Sequence, residues 1–245
     1  MIPIAGSVRS LRPPIVTITL IMVNVFVFLQ ETHLAPQALE ALIHRYGLTP
    51  AAFTAALAET PGRIDLWLIP FFTSMFLHGG WGHLIGNMLF LYVFGDGVEN
   101  RLGHGRFLLF YLLSGAGAAS MQIAMASSSA VPMVGASGAI AGVLGAYLVL
   151  YPTARITVLV PILFLPLFFD IPAAFFLLFW FGQQLIAGSL GIVAHGVEGM
   201  GGVAWWAHVG GFTSGIFWLG LLLDRRHLGH RPARYDARAY HPHGY

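Results

Sequence analysis

One serine, two histidines and an asparagine sit where an apolar chain should least tolerate polar groups, and their types suit hydrolytic chemistry. Ser137 lies inside Gly135-Ala136-Ser137-Gly138, and His208 inside Ala207-His208-Val209-Gly210-Gly211. His83 and Asn87 are spaced i,i+4, which puts them on one helix face. A serine hydroxyl is a weak nucleophile until a base takes its proton, and histidine is the usual base near neutral pH. The tetrahedral intermediate of acyl transfer needs donors for its oxyanion. The Ser137 backbone N–H, the Asn87 amide and the His83 imidazole are candidates. Glycines around the serine, Gly135 among them, would let a substrate backbone come close. No carboxylate within an apolar segment is placed to orient His208, so the set predicts a dyad rather than a triad.

Composition removes the rival chemistries. All 12 basic residues are arginine, and cysteine is absent. Without lysine there is no Schiff-base or P-loop lysine and no Ser–Lys pair. Without cysteine there is no thiol nucleophile, disulfide or thiolate metal site. His78 and His83 are spaced i,i+5 with no glutamate arranged as in H-E-x-x-H, so a zinc protease is unsupported and no metal or other cofactor is expected. Ala139 stands where the soluble hydrolase elbow needs glycine. Any one of these polar residues alone would read as packing. Their combination is what carries the chemical reading.

Elements must bring the four together, and the composition says what kind. The chain has 245 residues, 57% hydrophobic and 9% charged, with a mean hydropathy of +0.75. Soluble chains carry roughly 25% charged residues. A soluble enzyme, a nucleic-acid binder and a disordered chain are excluded for the whole, and a multi-span membrane protein remains. Candidate spans are Pro14–Leu29, Phe76–Phe94, Phe107–Ala126, Met133–Tyr151, Ile171–Leu190 and Val203–Leu223. Arg9 and Arg12 precede the first span, and no convincing cleavage site follows it, so it is expected to be retained. The stretch from Glu31 to Trp67 mixes polar and apolar residues and predicts short interfacial helices. Ile156–Phe169, broken by Pro161 and Pro166, is expected to lie at the interface, with Asp170 opening the fifth span as an N-terminal helix charge. His195 is expected at the outer interface and Gly196–Gly202 as a turn. Trp81, Trp205 and Trp206 suit an outer aromatic belt.

Arginine counting orients the spans. Ten arginines fall on one side (Arg9, Arg12, Arg101, Arg106, Arg155 and five in the tail: Arg225, Arg226, Arg231, Arg234 and Arg238), against Arg45 and Arg63 on the other. The expectation is an all-α bundle of six membrane helices with both termini inside. Residues 1–13 form a cytoplasmic N-terminus, 14–224 the membrane domain, and 225–245 a polar, disordered cytoplasmic tail. Histidines of that tail (His227, His230, His241, His243) read as solvated rather than metal-bound. Spans two, four and six then run from outside to inside. Counting about 1.5 Å per residue from Pro132 and Val203 puts Ser137 and His208 roughly 7 Å below the outer interface, at the depth of His83 and Asn87. Gly138 and Gly142 form a GxxxG pair, and Ala207, Gly211 and Gly215 repeat at fourfold spacing. Such small-residue stripes let helices close on each other in lipid.

The segment Met75–Arg106 (MFLHGGWGHLIGNMLFLYVFGDGVENRLGHGR), with Gly135-Ala-Ser-Gly and Ala207-His-Val-Gly-Gly, resembles the rhomboid intramembrane serine proteases across residues 14–224. The resemblance implies the six-helix rhomboid core, with Ser137 as nucleophile, His208 as its base, and His83 and Asn87 as oxyanion helpers. Glu99, Arg101 and Gly103 match the family's E-x-R-x-G element. It implies transmembrane proteins as substrates, cut in or near their membrane segments, and the lipid bilayer as surroundings. No nucleic acid or small-molecule cofactor is implied, and a bacterial inner membrane is the expected location. Two positions depart from patterns found in some members. Trp67 is followed by Leu68 where an arginine would stand, and Ala141 occupies the place of a tyrosine against the histidine ring. Pseudoproteases of this kind lack the serine or the histidine; both are present here. Two other classes remain as alternatives: a non-catalytic binder of membrane helices, and a small transporter. The transporter lacks support from any internal repeat or ionisable path to the inner side.

Overall fold

The computed structural model describes residues 1–8, 10, 12–162, 165–193 and 204–223. Arg9, the expected turn at 196–202, His195, Val203 and the tail from 224 onward, with its five arginines and four histidines, lie outside the described residues.

Helix α1 (Ile15–Thr32) begins directly after Pro13-Pro14, where fixed proline dihedrals suit a helix start. Its first-turn N–H groups have no intrahelical acceptors. The buried Glu99 carboxylate supplies them, accepting from Val16 N (2.8 Å), Thr17 N (2.7 Å) and the Thr17 hydroxyl (2.6 Å). Three short helices follow, α2 (Pro36–Tyr46), α3 (Pro50–Glu59) and α4 (Ile64–Thr73), the first two each opening on proline. Short helices are expected between Glu31 and Trp67; α2 and α3 lie within that stretch, and α4 runs past it to Thr73. Arg63 donates to Asp65 (2.8 Å) at the start of α4, and that hydrogen bond holds the half-buried Asp65 carboxyl well below the usual carboxylate range. Trp67, without an arginine beside it, donates its indole N–H to the Pro61 carbonyl (3.1 Å) and packs edge-on against Phe53.

Four long helices and a shorter one complete the bundle: α5 (Trp81–Leu102), α6 (His104–Met125), α7 (Ser137–Leu150), α8 (Ala173–Val193) and α9 (Trp205–Leu222). Gly103, at φ +79°, takes the left-handed conformation that ends α5 and lets α6 start at once. Helix α7 packs between α5, α6 and α9 and is buried along almost its whole length. Its glycines meet those of α9 backbone to backbone. A Cβ on Gly211 would strike the Gly138 carbonyl oxygen, and one on Gly215 would strike the Gly142 backbone. The small-residue stripes at 138/142 and 211/215 are thus one shared contact, as their spacing predicts.

Three expectations need correction. The chain is not all-α: β1 (Ile2–Gly6), β2 (Arg155–Ile162) and β3 (Leu165–Pro172) form an antiparallel sheet in the order β1-β2-β3. In β2, Ile156 and Val158 face inward while Thr157 faces out, the period-two pattern of a half-buried strand. Pro161 and Pro166 face each other near the hairpin end, beyond the stretch Ile156–Leu159 that β1 pairs, so their missing donors cost little. Asp170 accordingly lies in β3 and accepts from the Thr157 hydroxyl (2.6 Å) instead of opening a helix. Finally, the fourth span does not begin at Met133. Residues 133–136 are non-helical, and Ser137 is the first residue of α7.

Among the described residues, three helices are long and apolar enough to cross a membrane: Ile15–Thr32, His104–Met125 and Ala173–Gly191. Those carrying the polar set differ. Helix α5 holds Asp96, Glu99 and Arg101, α7 has 14 residues, and α9 holds His208 and four glycines within 18 residues.

Candidate active site

Helices α5, α7 and α9 each present their N-terminal end to one cavity of about 380 Å³, lined by His83, Asn87, Gly135, Ser137 and His208 among others. Sequence spacing expected His83, Asn87, Ser137 and His208 to converge, and all four line this cavity with Gly135. His208, the fourth residue of α9, lies about one turn in as expected, whereas Ser137 is the first residue of α7 and His83 the third of α5.

The serine hydroxyl lies 2.9 Å from His208 Nε2. As the first residue of α7, Ser137 has a backbone N–H with no intrahelical acceptor, at the positive end of the helix. A strap before it is held on both sides. Leu48 and Met133 exchange backbone hydrogen bonds (3.0 and 2.8 Å), and Gly135 N donates to Ser74 O at 2.8 Å. Gly135 has φ +124°, a conformation that side-chain-bearing residues rarely adopt. A Cβ there would also sit 2.6 Å from His83 Nε2. Two independent constraints, dihedral and contact, therefore call for glycine.

His83 accepts a long hydrogen bond at Nδ1 from Gly79 N (3.4 Å). In the neutral ring the proton then sits on Nε2, the atom beside Gly135, which makes it a donor. The Asn87 amide nitrogen lies 3.0 Å from His78 Nε2. An amide carries two hydrogens, so one is held by His78 and the other is free for the cavity. His78 is itself seated by its backbone N–H donating to the buried Glu31 carboxylate (3.2 Å). His78 and Glu31 were not legible as supports from sequence, since neither shares a helix face with Asn87.

Helix α8 contributes what sequence reasoning missed altogether. Gln184 Oε1 lies 2.7 Å from His208 Nδ1, and the Trp180 ring packs against the imidazole with centroids 5.6 Å apart. Trp205 meets the same ring edge-on. The available signal was Gln183-Gln184, an amide pair inside an otherwise apolar span, where polar groups are costly by default. Ala141, at the position of the absent tyrosine, is fully buried beside Gly211, and the ring is covered from α8 instead. On α6, Gln122 Oε1 accepts from Ala207 N (3.1 Å), a first-turn donor of α9 that it shares with the Ala204 carbonyl (3.0 Å).

Comparison with known proteins matches residues 65–225 to the rhomboid domain family. Similar curated proteins include "Rhomboid protease GluP" of Bacillus subtilis (strain 168), 47% identical over 100 residues, covering 41% of this chain and 19% of that protein. "Rhomboid-like protein 11, chloroplastic" of Arabidopsis thaliana is 43% identical over 72 residues, covering 29% of this chain and 25% of its own. "RHOMBOID-like protein 1" of Arabidopsis thaliana is 32% identical over 176 residues, 72% of this chain and 39% of that one. Each match thus spans well under half of the curated relative.

Proposed function

The chain belongs to the rhomboid family and is an integral membrane protein; from that premise we propose that it is an intramembrane serine endopeptidase acting through Ser137 and His208. One observation carries this reading: a half-buried serine hydroxyl at the N-terminal end of a buried helix, 2.9 Å from an imidazole nitrogen, facing a cavity.

The reaction proceeds in two halves. Ser137 Oγ attacks the scissile carbonyl carbon as its proton passes to His208 Nε2. The carbonyl oxygen becomes an oxyanion, which accepts from the Ser137 backbone N–H, the free Asn87 amide hydrogen and the His83 Nε2–H. The C–N bond breaks, the leaving amine takes the proton from His208, and an ester on Ser137 remains. Water, deprotonated by His208, attacks that ester, releasing a carboxylate and returning the proton to Ser137. Such donors act before the charge appears and need no reorganisation, and each is worth ~10²–10³ in rate. Substrates are membrane proteins, cut in or near a transmembrane segment.

In this reading α1, α5, α6, α7, α8 and α9 are six spans with both termini inside, in a bacterial inner membrane. The arginine balance supports it. Fourteen residues of α7 cover roughly 21 Å of a ~30 Å hydrocarbon core. If its inner end reaches the inner interface, Ser137 lies roughly 9 Å below the outer one. The shortness of α7 is then what admits water to the serine.

The test is cleavage of a purified single-span substrate in liposomes. Ser137→Ala and His208→Ala should each abolish cleavage, and a fluorophosphonate should label wild type at Ser137 only. Cleavage by Ser137→Ala at the wild-type rate would sink the reading.

A further inference from the structure

Both ring nitrogens of His208 have a defined partner, and one of those partners lies on a helix outside the Ser–His pair. Gln184, on α8, is buried. Its Nε2 donates to the Trp180 carbonyl one turn earlier (3.1 Å). That bond uses the nitrogen end of the amide and turns Oε1 toward His208 Nδ1, 2.7 Å away. An amide oxygen can only accept, so Nδ1 must carry the hydrogen. The neutral imidazole then has its lone pair on Nε2, the atom 2.9 Å from the Ser137 hydroxyl. Trp180, whose carbonyl anchors the amide, also packs its ring against the imidazole. One turn of α8 therefore sets both the tautomer and the tilt of the base.

We infer that Gln184 is a positioning residue of the site, making a Ser137–His208–Gln184 relay in which a neutral amide takes the orienting place a carboxylate holds in soluble triads. This rests on the serine-protease reading above and deepens it. The choice of an amide follows from the surroundings. A carboxylate on α8 would be a buried charge among apolar side chains and would need compensation. A neutral acceptor selects the tautomer without it. Charge-assisted hydrogen bonds are roughly twice as strong as neutral ones, so the amide should contribute less than the ~10⁴-fold associated with a triad carboxylate. A loss of ~10–100-fold in kcat on removing it is expected.

The test measures kcat and KM for a single-span substrate in liposomes, with the rate of fluorophosphonate labelling and thermal unfolding, for three variants. Gln184→Met keeps the volume and removes the acceptor. Gln184→Asn withdraws the acceptor by one methylene. Gln184→Glu, protonated among these apolar side chains, keeps an acceptor oxygen for His208 Nδ1 and an O–H donor for the Trp180 carbonyl. Met and Asn should lose ~10–100-fold in kcat and in labelling rate with KM within about twofold, whereas Glu should stay within about threefold of wild type. Asn against Glu decides the matter even if Met fails to fold. Wild-type kcat in Asn or Met would overturn the inference, as would an equally deep loss in Glu. Those outcomes differ from failure of the underlying reading, in which wild type and Ser137→Ala would be alike.

Discussion

At the scale of single residues, the site depends on groups whose importance is not proportional to their chemistry. Gly135 has no side chain to react, yet its φ of +124° and its place against His83 leave room for nothing larger. Gly135→Ala should push the His83 ring out of position and strain the strap before Ser137. A drop of ~10²-fold or more in kcat is expected, of the order seen when an oxyanion donor is lost, together with a destabilisation of about 1–3 kcal/mol from the strained dihedral, read by thermal unfolding. Unchanged turnover would show that neither His83 nor the strap matters. His83 and Asn87 were legible from i,i+4 spacing, because one helix face is a local property. Their supports were not: His78 precedes α5 and Glu31 ends α1, and only folding makes them neighbours.

At the scale of elements, two contacts hold the helices that carry the set. The α7–α9 seam is a backbone contact, so it should not yield to even one methyl group. Gly211→Ala meets the Gly138 carbonyl oxygen, whereas Gly220→Ala on the same helix meets nothing within 4 Å. The first should destabilise by at least the ~1–3 kcal/mol typical of overpacking. The second should be neutral or gain up to about 1 kcal/mol from helix propensity. Equal unfolding temperatures for the two would refute the seam. The second contact is the Glu99 carboxylate at the start of α1, which also receives His104 Nδ1 at 2.6 Å. Glu99→Gln substitutes a donor for one of its acceptor oxygens and should cost about 1.5–3 kcal/mol, measured by unfolding, without changing fluorophosphonate labelling of the folded fraction. The E-x-R-x-G element is then a structural tie between α5 and α1, not part of the chemistry.

At the scale of the whole molecule, the number of spans has a direct measurement, because the chain lacks cysteine and single introduced thiols report without background. With six spans, Ser10→Cys and Gly105→Cys should react only from the inner side of the membrane, and Glu59→Cys and Ser128→Cys only from the outer side. If only the three strongly apolar helices crossed, residue 105 would share a side with residue 59. The arginine distribution favours the first outcome.

The sequence by itself determined the solvent of the fold, the candidate nucleophile and base, and the glycine stripes that bring their helices together. Composition, side-chain type and helical period are all readable without coordinates. It misread where α7 begins, since non-helical backbone at 133–136 looks as apolar as the helix it precedes. It also missed the β-sheet: β1 pairs with residues about 150 positions away, as Ile2 with Leu159, and the β2–β3 hairpin reads in sequence as one proline-broken apolar stretch. Tertiary structure alone decided which atom faces which. Gln184 is 24 positions from His208, and nothing in their spacing makes them partners. Packing α8 against α9 turns one amide oxygen toward one ring nitrogen, and that contact selects the tautomer in which the opposite nitrogen can take the proton of Ser137.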